Sequence, residues 1–150
     1  MITALTLIFT LNSAEAGGLR RAERLRTTGD VAGLISLLDS DAAYLRELAA
    51  RHLGALPGGS AALLPLRACV SDEAERPFVR AACAEALGNH HDQAAVPLIV
   101  AALPALDPES RYFAAAALAA IGGPEAQAAL VPLADDADLL LSAAARRWLR

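Results

Sequence analysis

Three consecutive residues, His90, His91 and Asp92, are the ones in this sequence whose types best suit metal binding. Imidazole and carboxylate groups are zinc ligands, but a zinc site needs three or four ligands that converge on one point. The side chains of adjacent residues rarely converge in this way. We therefore interpret the segment as a solvated loop between structural repeats, and we predict neither a metal ion nor another cofactor.

The candidate nucleophiles are two cysteines, Cys69 and Cys83. Neither belongs to a Cys-x-x-Cys motif, and two cysteines do not imply a disulfide framework. Both lie in apolar helical sequence, where reduced cysteine behaves as a small hydrophobic side chain. The sequence also contains no Gly-rich phosphate loop and no Gly-x-Ser-x-Gly elbow. We therefore expect two reduced, buried cysteines and no catalytic residues.

The composition predicts an all-α fold without a nucleic-acid partner. Hydrophobic residues make up 55% of the chain and aromatic residues only 4%. Most of the apolar residues are alanine and leucine, which favour helices. The net charge is −4, whereas proteins that bind nucleic acid usually carry a basic surface. A partner with a basic surface fits this charge better.

The beginning of the chain allows two interpretations. Residues 2–11 are apolar, and Ala14-Glu15-Ala16 then resembles a signal-peptidase site. No basic residue precedes the apolar run, which is also shorter than the roughly 20 residues that span a bilayer. Four apolar residues lie at helical spacing: Ile2, Leu5, Ile8 and Leu11. We favour a helix that caps the fold of a cytoplasmic protein without a membrane segment, and a cleaved secretory signal is the alternative.

A repeat of 34 residues organises the rest of the chain. Three segments end with an aliphatic residue and a glycine: Leu53-Gly54, Leu87-Gly88 and Ile121-Gly122. Three aromatic residues share one register within them: Tyr44, Phe78 and Tyr112. We interpret each segment as the second helix of a helix–turn–helix unit, with the glycine in a left-handed conformation after its end. Three of the four units also carry a proline in the apolar segment before the second helix, at positions 65, 97 and 132. We predict that each proline lies near the start of the first helix of its unit, or at a bend in that helix.

Two residues occupy the position before the last leucine of a second helix, where alanine stands in the other units. Trp148 is predicted to cover the end of the last unit, and His52 is predicted to be a hydrogen-bonded core histidine.

The spacing Asp41…Leu45-Arg46…Ala49…Leu53-Gly54 and its counterpart Asp72…Val79-Arg80…Leu87-Gly88 resemble HEAT-like repeats. Within that family, the pattern is similar to the short bacterial type that also occurs in phycobilisome lyases.

This resemblance covers residues 30–150 and implies a right-handed α-solenoid of about four helix pairs. The expected repeats are 30–59, 60–92, 93–126 and 127–150, after an N-terminal cap or degenerate repeat at 1–29. The resemblance also implies that Arg46 and Arg80 are structural. They would pair with the turn carboxylates Asp41 or Asp72, or with neighbours of these, between stacked units. The third and fourth units lack this arginine.

Solenoids bind through the concave surface that their second helices form. Seven residues are our candidates for that surface: Tyr44, Glu47, Arg51, Phe78, Glu85, Tyr112 and Arg147. Large aromatic residues are typical interface anchors, although the three in register would also suit a role in fixing each second helix to the preceding turn. We expect a non-catalytic scaffold that binds a protein or peptide, as a monomer or weak homo-oligomer.

Two other functions remain open at the level of the sequence. One is an immunity or inhibitor protein that neutralises a bacterial toxin, which is compatible with a small acidic repeat domain. The other follows from the resemblance to phycobilisome lyases and is a bilin lyase-type enzyme or chaperone that holds a tetrapyrrole in the groove. HEAT-like DNA glycosylases need a basic groove, which the net charge of −4 argues against.

Overall fold

The computed structural model describes residues 13–150, which form nine α-helices, four short 3₁₀ segments and no strand. The helices are α1 (Ser13–Thr28), α2 (Val31–Leu37), α3 (Ala43–Ala55), α4 (Leu63–Ser71), α5 (Pro77–Asn89), α6 (Val96–Ala102), α7 (Pro108–Ile121), α8 (Gly123–Leu130) and α9 (Leu139–Trp148). The 3₁₀ segments are Gly59–Ala62, Gln93–Ala95, Leu103–Ala105 and Val131–Asp135. The predicted cap at residues 2–11 lies outside the described residues.

The helices pair and stack as an α-solenoid, which confirms the predicted fold class. Helices α3 and α5 have the same length and are offset by the 34 residues of the sequence repeat. The first helices α2, α4 and α6 pack on the second helices α3, α5 and α7 of their own units. The second helices also pack side by side, α3 on α5 and α5 on α7. Helix α9 packs more weakly on α7, and α1 covers the opposite end by packing on α2 and α3.

The core is a continuous row of aliphatic side chains. Each helix from α2 to α9 contributes one fully buried leucine or isoleucine: Leu34, Leu53, Leu66, Leu87, Ile99, Leu118, Leu130 and Leu141. Buried alanines fill the space between them, chiefly on α3, α5 and α7. Since no single helix pair encloses such a row, each unit depends on its neighbours for burial.

Two of the three repeat glycines do not play the role predicted for them. Gly54 and Gly88 lie inside α3 and α5 and are buried. A Cβ atom on Gly54 would lie 2.7 Å from the Cα of Ala86, and one on Gly88 would lie 3.0 Å from the Cα of Ala117. These glycines therefore allow neighbouring second helices to approach. Only Gly122 follows its helix as predicted, and its φ of +69° favours glycine, but its ψ of −169° lies outside the αL conformation of a left-handed stop.

The prolines mark changes in helix type. Pro65 and Pro97 are the third and second residues of α4 and α6, each of which follows a 3₁₀ segment. Pro132 lies in the 3₁₀ segment that follows α8, so it marks a bend and not an early helical position. The turn residue Asp107 caps α7 by accepting a hydrogen bond from the Ser110 amide. Asp138 caps α9 in the same way.

The expectation of two reduced cysteines is wrong. Cys69 on α4 and Cys83 on α5 form a disulfide, with their Cα atoms 6.3 Å apart. The two residues lie on either side of the turn between the helices of one unit. An antiparallel helix pair brings such positions opposite each other, so the predicted unit itself contained the signal for this bond.

Candidate functional site

The exposed side of the second helices, which we call the second-helix face, contains a cavity between three helices. A cavity of about 340 Å³ lies where α3, α5 and α7 meet. We call it the central cavity. Its lining residues come from all three helices and from the turn before α7: Glu47, Arg51, Phe78, Ala81, Ala82, Asp107, Glu109, Ser110 and Phe113. The structure thus brings together three of the predicted binding residues, Glu47, Arg51 and Phe78.

Arg51 links the three helices around the central cavity. Its Nε donates to Glu47 Oε1 on the same helix at 3.1 Å, and its Nη1 donates to Glu85 Oε2 on α5 at 2.8 Å. Its Cζ lies 6.0 Å from the centroid of the Phe113 ring on α7, within cation–π range. Glu85 is another predicted binding residue, and it is connected to the cavity through its hydrogen bond with Arg51.

The rim of the central cavity is acidic. Asp107 accepts hydrogen bonds from the Ser110 amide at 3.0 Å and the Ser110 hydroxyl at 2.8 Å. The amide hydrogen bond is the main reason that the pKa of Asp107 lies below its usual range. Within residues 13–150, the exposed carboxylate of Glu109 has no hydrogen-bond or ion-pair partner. Three carboxylates and one guanidinium group therefore line this cavity.

Two further cavities continue the second-helix face toward α9. One of about 460 Å³ is lined by Pro108, Glu109, Tyr112, Phe113, Asp138 and Leu140. The other, of about 280 Å³, is lined by Tyr112, Leu140, Ala143, Ala144, Arg147 and Trp148. They lie between α7 and α9, where the helices pack weakly. Leu140 lines both cavities and is 67% exposed, so this end of the face is apolar.

The three aromatic residues in register do not share one environment. Tyr44 is half-buried and is not among the residues that line these cavities. Phe78 is 42% exposed at the central cavity. The Tyr112 ring packs against the Trp148 ring at 5.7 Å and edge-on against the Phe113 ring at 5.8 Å. Sequence reasoning missed Phe113, although its size at the register of Val79 distinguishes the third unit.

Comparison with known proteins identifies the family. A family model for HEAT repeats matches residues 31–103 and 73–150.

The chain belongs to the HEAT-repeat family. HEAT repeats generally mediate protein–protein interaction. The comparison with curated proteins finds no significant match. The narrower resemblance to phycobilisome lyases stays a prediction. No helix within residues 13–150 is long and apolar enough to cross a membrane.

Arg46 pairs with a neighbour of Asp72, which the prediction included, whereas Arg80 binds a backbone carbonyl and not a turn carboxylate. Arg46 Nε and Nη2 donate to the two carboxylate oxygens of Glu75, in the turn of the next unit, at 2.6 and 2.7 Å. Arg46 reaches Asp41 through its backbone carbonyl. Arg80 is buried and donates to the Val70 carbonyl within its own unit at 2.9 Å. The carboxylate between stacked units is therefore Glu75, a neighbour of Asp72 and not Asp72 itself.

A second inter-unit contact replaces the missing arginine in the third HEAT unit. Arg111 donates to Asp136, in the turn of the fourth unit, at 2.6 Å. Ala114 occupies the register of Arg46 and Arg80 in this unit. The contact between a second helix and the next turn is thus kept while its arginine moves by three residues.

The segment from His90 to Asp92 connects neighbouring HEAT units. His90 Nε2 donates to the Leu53 carbonyl at 2.9 Å, and His91 Nδ1 donates to the Ala120 carbonyl at 2.7 Å. Asp92 accepts two hydrogen bonds from Arg67 on α4. The three side chains thus diverge toward three helices. Within residues 13–150, no three metal-ligand side chains converge on one point.

His52 is not the hydrogen-bonded histidine that the sequence suggested. Its Nε2 atom is buried and has no hydrogen-bond partner among the described residues. The nearest carboxylate oxygen, Oε2 of Glu23 on α1, is 3.9 Å away. Burial therefore lowers the pKa of His52, against the opposite effect of Glu23. This histidine belongs to the contact between α1 and α3 and lies outside the second-helix face.

Proposed function

We propose that this protein is a non-catalytic interaction module. Its second-helix face, formed by α3, α5, α7 and α9, is the concave face of the solenoid and binds a protein or peptide. The observation that carries the proposal is the central cavity, with its aromatic and alanine floor and its acidic rim. Interface centres combine exposed aromatic groups with a polar rim in this way. The exposed Leu140 extends the apolar surface along the same face.

The charge of the cavity favours a partner with a basic surface. Arg51 already pairs with Glu47 and Glu85, so the carboxylate of Glu109 is available for a cation of the partner. The same acidic rim argues against a bilin, because the propionate groups of a tetrapyrrole would face carboxylates of the same charge. An interaction module therefore fits the site better than a bilin lyase.

A charge reversal with a matched control tests the proposal. Glu109 and Glu125 are both exposed glutamates in the first turn of a helix, α7 and α8 respectively. Glu109→Lys and Glu125→Lys change the net charge equally and oppose the helix dipole equally. Only Glu109 lines the central cavity.

The experiment is affinity capture from the source cells with wild-type protein and both variants as bait. Circular dichroism melting first shows that the three baits are equally folded. We expect a protein that is recovered by the wild type and by Glu125→Lys, and lost with Glu109→Lys. Recovery of the same proteins by all three baits would contradict binding at the central cavity. Equal loss with both variants would indicate attraction by net charge alone.

A further inference from the structure

We propose that the central cavity accepts one arginine side chain of the partner, held between aromatic rings and rim carboxylates. This inference rests on the proposed function, since it names the group that the concave face recognises. The cavity volume of about 340 Å³ lies at the small end of the roughly 300–1,000 Å³ range of ligand pockets. Such a space suits one long side chain of a larger partner.

The aromatic floor provides the first element of recognition. Phe78 and Phe113 line the same cavity from α5 and α7, and Phe78 is 42% exposed. The face of an aromatic ring attracts a cation, and arginine occurs in such contacts more often than lysine. The protein's own Arg51 already lies 6.0 Å from the Phe113 centroid. Arg51 thus already uses the Phe113 ring, and the exposed Phe78 ring is the one that the partner's arginine would contact.

The rim carboxylates provide the second element. A guanidinium group has five N–H donors in one plane and binds carboxylates with two parallel hydrogen bonds. Within the described residues, Glu109 has no partner of its own. Both carboxylate oxygens of Asp107 already accept hydrogen bonds from Ser110, and each oxygen has two lone pairs. Glu109 is therefore the main acceptor, and Asp107 a secondary one.

A neutral apolar side chain would fit the same space less well. It would cover the floor, but it would also displace water from the carboxylates of Glu109 and Asp107 without replacing their hydrogen bonds. Burying charged groups without partners is costly. A lysine would supply the charge but not the planar group that stacks on a ring. The combination of floor and rim therefore selects for a guanidinium group.

Peptides selected from a random-sequence display library against the wild-type protein provide the probes. We expect the enriched peptides to share an arginine. Replacement of that arginine by citrulline, which is neutral and nearly isosteric, should weaken binding about tenfold or more, because it removes the cation–π contact and the charged hydrogen bonds. Binding should also weaken as the salt concentration rises.

Two variants with a matched control locate the arginine. Glu109→Gln removes the negative charge of the main acceptor, and Phe78→Leu removes a ring but keeps an apolar side chain. Both should weaken binding of the arginine peptide. Tyr44→Leu is the control, because Tyr44 has the register of Phe78 in the preceding unit but does not line the cavity. It should leave the affinity unchanged.

The outcomes separate this inference from the proposed function. Peptides that lose affinity with Glu109→Lys but tolerate citrulline would overturn the arginine inference and leave the concave binding site in place. Peptides that bind all variants equally would place the selected contact outside the cavity and overturn the inference. Failure to enrich any peptide would also overturn it, and the capture experiment with whole cells would still decide the proposed function.

Discussion

Arg46 shows how a single side chain connects successive units of the solenoid. Besides its two hydrogen bonds to Glu75, it donates to the Ser40 and Asp41 carbonyls at 2.7 and 3.1 Å. The guanidinium group thus links the turn before α3 with the turn before α5. The side chains of Arg46 and Glu75 are only 19% and 10% exposed, so water screens this ion pair weakly.

The first prediction concerns Glu75→Gln. It should lower the free energy of unfolding by about 1–3 kcal/mol near neutral pH, because a charge-assisted pair is lost and Arg46 is left partly unpaired. Urea unfolding followed by circular dichroism measures this change. The control is Glu23→Gln, and both variants are measured at pH 8. The control substitution breaks the exposed Arg26–Glu23 pair and should have no measurable effect on the free energy of unfolding. Equal effects of the two substitutions would contradict the assigned role of Glu75.

The pH dependence of the Glu75 variant gives an independent check. Hydrogen bonding to Arg46 lowers the pKa of Glu75 from its ordinary value of 4.5. A carboxylate whose pKa falls on folding stabilises the native state above its unfolded pKa, and this contribution is lost as the pH falls through the folded pKa. The difference in stability between wild type and Glu75→Gln should therefore be full above pH 4.5 and shrink in more acidic solution. A difference that does not change with pH would contradict the ion pair.

At the scale of helices, the close contacts of α3, α5 and α7 depend on small residues. Gly54 faces the backbone of Ala86, and Gly88 faces that of Ala117. A substituent at either position would meet backbone atoms, which cannot move aside as a flexible side chain can. These contacts set the spacing of the second helices and therefore the width of the central cavity.

The second prediction is that Gly54→Ala destabilises the protein by about 1–3 kcal/mol, the usual cost of an overpacked core. Intrinsic helix propensity alone predicts the opposite sign, since alanine is better than glycine in a helix by about 1 kcal/mol. Gly17→Ala is the matched control, because Gly17 lies within α1 and a Cβ there would meet no atom of residues 13–150 within 4 Å. Urea unfolding should show Gly54→Ala less stable and Gly17→Ala at least as stable as wild type. Stabilisation by both would contradict the close contact.

The sequence predicted the repeating elements well because the repeat itself is regular. The 34-residue spacing of Leu53, Leu87 and Ile121 located three second helices, and all three residues are buried there. The glycines after them were misassigned, because a glycine at the end of a helical pattern suits both a left-handed stop and a close helix contact. Which of the two occurs depends on the neighbouring helix, which a local pattern does not describe.

The candidate site was less predictable than the elements. Glu47, Arg51 and Phe78 were found because residues three and four apart share a helix face. Glu109 was missed because α7 begins three residues earlier in the repeat than α5, at Pro108. Phe113 was missed because its counterpart in the second unit is Val79, a buried core residue. The rim therefore uses residues that precede the repeated register, and only the packed helices bring them to the cavity.

The whole molecule is a linear stack in which each unit supports the next. In such a stack, the stability is the sum of terms within units and terms between neighbours. The unit formed by α4 and α5 contacts neighbours on both sides, and its second helix forms the middle of the central cavity. The disulfide between Cys69 and Cys83 joins the two helices of this unit. A covalent bond therefore lies in the part of the stack on which the other units depend.

The third prediction is that reduction of this disulfide lowers the stability of the whole stack. The cysteines are 14 residues apart in sequence, and closing a loop of about 15 residues stabilises the folded state by about 3 kcal/mol in the chain-entropy model. We expect a reductant to lower the free energy of unfolding of the wild type by about 2–3 kcal/mol. A Cys69→Ala/Cys83→Ala variant is the control and should not respond to the reductant, although it should be less stable than the oxidised wild type. Maleimide labelling under denaturing conditions reports the state of the cysteines before reduction. Two labelled thiols, together with a stability that the reductant does not change, would contradict the disulfide and restore the reduced cysteines that the sequence pattern suggested.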